Sequence, residues 1–174
     1  MLSVLTLLLV VPSARATTVV TPDGATAQPY QRWVDRAKVP TPPGTFMLGR
    51  GDCPYEGYPS GISCSYLAER TIFLSEAGRN RWTLLHELGH EFDYWVAPAW
   101  MRDAFLNVIG YPRGGPWAGP PGAPVWETTP RELFAEGYSA CAMRRTIRRR
   151  WDGNYGYSPT PRQHRLVCKL LRRA

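Results

Sequence analysis

The stretch from Arg81 to Trp95, RWTLLHELGHEFDYW, holds two histidines and a glutamate whose spacing allows metal chemistry. Residues four apart lie on one face of a helix, so His86 and His90 can direct their imidazoles at a single ion. Neutral imidazole nitrogen is a preferred ligand of zinc. Glu87 is rotated by about 100° from His86 and can reach a water on the open side of that ion. The stretch therefore predicts a zinc site with a carboxylate base beside it.

A catalytic zinc ion needs a third protein ligand and an open position. The residues after His90 do not continue into a pattern with a third histidine, and His164 lies in the basic tail. The stretch TPRELFAEGY offers Glu132 and Glu136, which are four apart and share one helical face. Spacing leaves two assignments open, because Glu132 either binds the metal or folds back to Thr129 in a capping box and leaves that role to Glu136.

The two motifs HELGHEFD and TPRELFAE together resemble the zincin metallopeptidases of the gluzincin type. They are most similar to the branch that includes anthrax lethal factor and the clostridial Pro-Pro endopeptidases, over about residues 70–140. Glu87 is expected from its position on the helix to act as the catalytic general base. The resemblance favours Glu136 as a hydrogen-bond partner behind the site. The zinc ligands that it implies are His86, His90 and Glu132.

One feature departs from the branch, which has a tyrosine about two helical turns before the glutamate ligand. Here that region is PVWETT, with Trp126 and no tyrosine. Tyr94, Tyr111 and Tyr138 are the candidates to replace it in stabilising an oxyanion, although none occupies the family position. Asp93 is expected either to orient a histidine from behind or to lie solvated on the helix face.

The elements that must position these residues follow from local signals. Short branched and aromatic runs predict strands at 45–49 and 70–75, and the second run is expected to line the cleft and pair with an extended substrate. Residues 17–27 are expected to form a loose arm, and the Pro/Gly-rich stretch 113–129 is expected to be a loop. Helices are predicted over 29–38, from about Asn80 through the motif, within 96–112, and over 130–151 and 160–174, the last two with Thr129-Pro130 and Thr160-Pro161 as starts.

The fold predicted from this order is α+β, a compact minimal zincin-like domain with a small sheet, a helix carrying the His-Glu-x-x-His motif and a later helix carrying the glutamate ligand. Gly89 costs the motif helix about 1 kcal/mol relative to alanine. We expect this glycine to let another helix approach closely.

The N-terminus indicates export. Leu2 to Val11 is apolar, Pro12 ends the run, and Ala14-Arg15-Ala16 has the form of a cleavage site, although no Lys or Arg precedes the run. We expect a signal peptide over residues 1–16 and a single secreted domain over 17–174.

Four cysteines in an exported chain predict two disulfides. Of the three possible pairings we favour Cys53–Cys64 and Cys141–Cys168, because each closes a loop within one region.

The net charge is +7, and the C-terminal tail holds most of the excess. This charge serves solubility or docks the protein to an anionic cell-envelope component. We expect no nucleic acid partner, no stable membrane insertion and a monomer. The leading hypothesis is a zinc peptidase that acts on peptides or proteins. The alternative is a catalytically weak, zinc-stabilised module that binds the envelope through its basic tail.

Overall fold

A computed structural model of the chain describes residues 16–112, 116–118, 129–143, 146–150 and 153–174. These residues form a mixed α+β fold, as predicted, with five α-helices and one four-stranded sheet. The strands are β1 (Thr17–Val20), β2 (Gly44–Arg50), β3 (Cys64–Tyr66) and β4 (Thr71–Leu74). The helices are α1 (Tyr30–Asp35), α2 (Arg81–Trp95), α3 (Ala99–Ile109), α4 (Pro130–Ala142) and α5 (Pro161–Leu171).

The sheet has the order β1-β2-β4-β3, in which β1, β2 and β4 are parallel and β3 is antiparallel to β4. The predicted role of the 70–75 strand at the cleft is wrong, because β4 pairs on both sides and has no edge to offer. The short edge strand β3, which was not predicted, lies at the cleft instead. The loose arm predicted for 17–27 is also wrong over β1, where the branched residues TTVV pair with β2 and bury Val19 completely.

The predicted start signals at Thr129 and Thr160 are confirmed, and the helix expected from about Asn80 is capped by that residue. Asn80, Thr129 and Thr160 each accept a backbone N–H with their side chains at the N-terminus of α2, α4 and α5. The predicted extent of α4 to residue 151 is wrong, because the helix ends at Ala142 and 146–150 are not helical. The run RRTIRRR after it would stack arginines four apart on a continued helix, and such like charges repel.

Helices α2 and α4 pack closely, and Gly89 makes this possible as predicted. A Cβ atom at position 89 would lie 2.8 Å from Cα of Ala135 and 3.1 Å from Cβ of Tyr138. Leu84, Leu85, Leu88 and Phe92 of α2 are fully buried in the core beside this contact. The glycine therefore brings the backbones of the two motif helices together.

Both predicted disulfides are present, Cys53–Cys64 across the loop before β3 and Cys141–Cys168 between α4 and α5. The predicted signal peptide falls almost entirely outside the described residues, as does most of the 113–129 loop. In the described ranges, no helix combines the length and the apolar character needed to cross a membrane.

Candidate metal centre

The motif helix α2 carries His86 and His90 to the boundary between the core and an open cavity. The two side chains are largely buried, with 2% and 7% exposure, and their ring centroids are 4.9 Å apart. Helical spacing places both on the side of α2 that faces α4. The sequence thus predicted their common face correctly.

Helix α4 brings Glu132 to both imidazoles. Its Oε2 atom lies 3.0 Å from Nε2 of His86 and 3.2 Å from Nε2 of His90. Ligand atoms bound tetrahedrally to zinc at 2.0–2.1 Å are about 3.3–3.4 Å from one another. The two separations from Glu132 are close to this value, and the three ligand atoms all lie within 4.8 Å of one another. These residues could hold a metal ion.

Glu136 lies one turn further along α4 and is completely buried. Its Oε2 accepts a hydrogen bond from Trp82 Nε1 at 3.0 Å and lies 3.3 Å from Nδ1 of His86, while its Oε1 accepts from the Asn154 backbone N–H at 3.0 Å. A carboxylate at Nδ1 favours the tautomer that carries the proton there and leaves Nε2 free to bind a metal. Glu136 is thus placed behind the site, while Glu132 faces it.

Of the capping box considered for Glu132, the structure has the N-cap hydrogen bond but not the return contact of the Glu132 carboxylate. Thr129 Oγ1 accepts the Glu132 backbone N–H at 3.4 Å, which forms the N-cap. The Glu132 carboxylate, however, points to the two imidazoles. The helix start and the ligand position therefore use different atoms of the same residue and do not compete.

Charge coupling in the metal-free site is strong. Burial lowers the pKa of His86, but its hydrogen bonds to Glu132 and Glu136 outweigh this effect and raise the pKa to about 10. Burial raises the pKa of Glu132, but the neighbouring His90 and His86 outweigh it and hold the pKa well below its usual range. These shifts favour a protonated imidazole beside an ionised carboxylate, so metal binding has to displace a proton.

Glu87 follows His86 on α2 and is buried beside the same cavity. Burial raises the pKa of its carboxyl, against the opposing charges of His86 and His90. The adjoining backbone is fixed, because Ser65 of β3 donates its hydroxyl proton to the Glu87 carbonyl oxygen at 2.9 Å. A buried carboxyl with a raised pKa is suited to accepting and returning a proton.

The cavity beside these residues has a volume of about 450 Å³. Strand β3 and the turn after it form one wall, and the N-terminal end of α4 forms another. The residues that line it are Tyr55, Glu56, Tyr58, Ser63, Cys64, Ser65, Leu67, Ala68, His86, Glu87, His90, Tyr94, Ala118, Thr129, Arg131, Glu132 and Tyr155.

The tyrosines considered as substitutes for the family residue have different positions. Tyr138 is in the core with its hydroxyl donating to the Pro40 carbonyl at 2.9 Å, and Tyr111 packs against the core away from the cavity. Tyr94 does line the cavity. Trp126, in the region where the family has its tyrosine, lies outside the described residues.

Two further tyrosines at the site were missed by sequence reasoning. Tyr155 stacks on the His86 ring, with centroids 4.5 Å apart and planes inclined by 24°, and its backbone is left-handed at φ 58°. Burial raises the pKa of Tyr58, and the negative charge of Glu132 raises it further, which places this ring near the ligand set. Both arrive through long-range contacts, so no local pattern indicated them.

Two residues weighed from the sequence lie elsewhere. Asp93 neither contacts a histidine nor lies solvated, since it accepts hydrogen bonds from Arg102 Nε at 2.7 Å and Trp117 Nε1 at 2.8 Å. It therefore joins α2 to α3 and to the 116–118 segment. His164 is buried against Tyr157 and the Cys168 sulfur and does not belong to the group of His86, His90 and Glu132.

Comparisons with known proteins add nothing to this geometry. No family model matches the chain, and no curated protein and no solved structure matches it either.

Proposed function

We propose that this protein is a secreted zinc-dependent peptidase of the zincin type. The observation that carries the proposal is the meeting of His86 Nε2, His90 Nε2 and Glu132 Oε2 next to Glu87 in an open cavity. Two histidines and a carboxylate are a ligand set of catalytic zinc, which leaves the fourth position for a water or substrate. The two disulfides and the apolar N-terminal run support export.

His86, His90 and Glu132 would hold the zinc ion, which would supply Lewis acidity toward the scissile carbonyl and the attacking water. Glu87 takes a proton from that water as its oxygen forms a bond to the carbonyl carbon. When the C–N bond breaks, Glu87 returns the proton to the leaving amine, so the carboxylate is regenerated. Glu136 holds the His86 imidazole in position throughout.

The substrate backbone has a natural place beside β3. This strand is at the edge of the sheet and lines the cavity next to Glu87. An extended peptide can add to such an edge by main-chain hydrogen bonds, which holds the bond to be cut in a fixed register. The cavity size suits a short peptide segment.

The test is incubation of the zinc-loaded protein with a mixed peptide library, with products identified by mass spectrometry. The matched variant is Glu87→Gln, which keeps the shape of the side chain and removes its basicity. We expect the native protein to cleave and the variant to lose at least about a hundredfold in rate while it still binds zinc. Full activity of the variant would contradict the mechanism.

A second candidate rests on α5. Its exposed positions include Arg162, Arg165 and Lys169, and residues 153–174 contain no Asp or Glu. Such a face suits a module that binds an anionic envelope and uses zinc for stability. That function predicts envelope binding that weakens with salt and is unchanged in Glu87→Gln, together with no turnover of any peptide.

A further inference from the structure

The loop before β3 carries two tyrosines to the candidate centre. The Cys53–Cys64 disulfide closes this loop, and the Cys53 N–H donates to the Ile62 carbonyl at 2.8 Å, so both ends are fixed. Tyr55 and Tyr58 lie within the loop, and both line the cavity that contains Glu87. The loop is thus a wall of the cavity that is tied to the sheet.

The rings of this wall are supported from behind. Tyr55 stacks on Tyr66 with centroids 3.9 Å apart and planes inclined by 5°, and Tyr66 meets Phe73 of β4 edge-on at 5.6 Å. The ring centroid of Tyr58 lies 5.7 Å from the ring centroid of Tyr55. Tyr55 and Tyr58 nevertheless remain 40% and 37% exposed. Rings that are held in place yet expose much of their surface form a preorganised apolar contact.

We infer that Tyr55 and Tyr58, here called the tyrosine wall, form the pocket that selects an aromatic or large aliphatic side chain of the substrate beside the bond to be cut. This inference rests on the proposed peptidase function. Leu67 and Ala68 extend the apolar surface from the wall along the edge of the cavity.

The charges around the wall disfavour other side chains. Burial raises the pKa of Tyr55 and Tyr58, and the nearby Arg131 opposes that rise, so its positive charge acts on both rings. A cationic substrate side chain would meet this charge. An acidic one would meet Glu56 and Glu87, which line the same cavity. A neutral apolar side chain can cover the two rings without placing a charge near Arg131 or near the two glutamates.

The experiment compares peptides that are identical except for Phe, Leu, Ala, Lys or Glu on each side of the cleaved bond. We expect kcat/KM of the native protein to be about tenfold or more higher for Phe and Leu than for Ala at one of the two positions. In Tyr58→Ala and Tyr55→Ala this ratio should fall to about two or less, whereas Tyr58→Phe should keep it because the ring face remains. The control is Trp100→Ala, which removes a more exposed ring, at 52%, on α3 outside the cavity.

A binding measurement separates failure of the wall from failure of the peptidase proposal. Zinc-loaded Glu87→Gln is titrated with fluorescently labelled forms of the same peptides. If it binds the Phe peptide more tightly than the Ala peptide, and if adding Tyr58→Ala removes this difference, the wall is supported even if the native protein cleaves nothing. Cleavage or binding with no Phe-to-Ala preference overturns the wall. A preference that survives both Tyr55→Ala and Tyr58→Ala overturns it as well, and leaves the peptidase proposal standing.

Discussion

Replacement of Glu136 by glutamine tests how the candidate centre is supported. The native carboxylate accepts hydrogen bonds at both oxygens, from Trp82 and His86 at Oε2 and from the Asn154 N–H at Oε1. A glutamine amide has one oxygen and one NH2 group. If its oxygen faces Trp82 and His86, its NH2 faces the Asn154 N–H, and that N–H loses its acceptor.

The magnitude follows from this count. A buried donor left without an acceptor costs about 1–3 kcal/mol in the free energy of unfolding, and we expect the lower end of this range because Asn154 is an exposed residue. The amide oxygen can still accept from His86 Nδ1, so the tautomer is kept, but the negative charge that raises the basicity of the imidazole is lost. Loss of such a partner weakens metal binding by about 10- to 100-fold, and we expect the lower end for Glu136→Gln.

The assays are urea unfolding of the metal-free protein and competition for zinc against a chelator of known affinity. Trp82→Phe is the matched control, because it removes one donor from Glu136 but leaves the charge and the contact with His86. We expect its zinc affinity to stay close to native. If Glu136→Gln binds zinc as tightly as the native protein, Glu136 does not prepare His86 for a metal and the reasoning is refuted.

Two other predictions concern packing and protons. Gly89→Ala should destabilise the protein by about 1–3 kcal/mol in urea unfolding, because the added Cβ would lie 2.8 Å from Ala135 Cα. The cost of this overpacking exceeds the gain of about 1 kcal/mol in helix propensity. A more stable variant would contradict the close approach of α2 and α4. The metal-free protein should lose stability as pH rises from 6.5 to about 10, because the pKa of His86 is raised in the folded state, which therefore binds more protons than the unfolded state over this window. Burial raises the pKa of Glu91 to about 8, which has the same sign. The increase in Tm on adding zinc should instead become larger over this pH range, because zinc binds deprotonated imidazole. An increase that becomes smaller as pH rises would exclude His86 and His90 as ligands.

Local signals in the sequence were enough to predict the helix starts and the histidine pair. Asn80, Thr129 and Thr160 cap helices through their own side chains, and the four-residue spacing of His86 and His90 is a property of one helix. Such features need no knowledge of what packs against the helix. The same holds for the disulfides, whose partners are close along the chain.

Features that depend on distant partners were not predictable in this way. Edge strand β3 forms because β4 pairs with it, although its residues Cys64–Tyr66 have no strong strand pattern. The branched residues of β1 do favour a strand, but its place in the sheet depends on pairing with β2. Tyr155 reaches His86 from a segment that lies beyond α4 in the chain. The choice between Glu132 and Glu136 likewise depended on how α4 lies against α2.

That choice has a simple geometric basis. Residues four apart on a helix are separated by about 6 Å along its axis, and two glutamate side chains at that spacing are long enough to spread to the two nitrogens of one imidazole. His86 therefore fits between Glu132 at Nε2 and Glu136 at Nδ1. The close approach at Gly89 brings α4 near enough for both contacts. One pair of glutamates thus supplies a candidate ligand and its support, and the two are not rivals for one position.

The same support extends to the ring that covers His86. The Glu136 carboxylate that orients His86 also accepts the Asn154 N–H, and the next residue, Tyr155, stacks on His86. Loss of either contact should therefore loosen the other. In a double-mutant cycle, the losses in zinc affinity from Glu136→Gln and Tyr155→Ala should fall short of additivity by about 0.5 kcal/mol or more. Additive losses would mean that the two residues act on His86 independently.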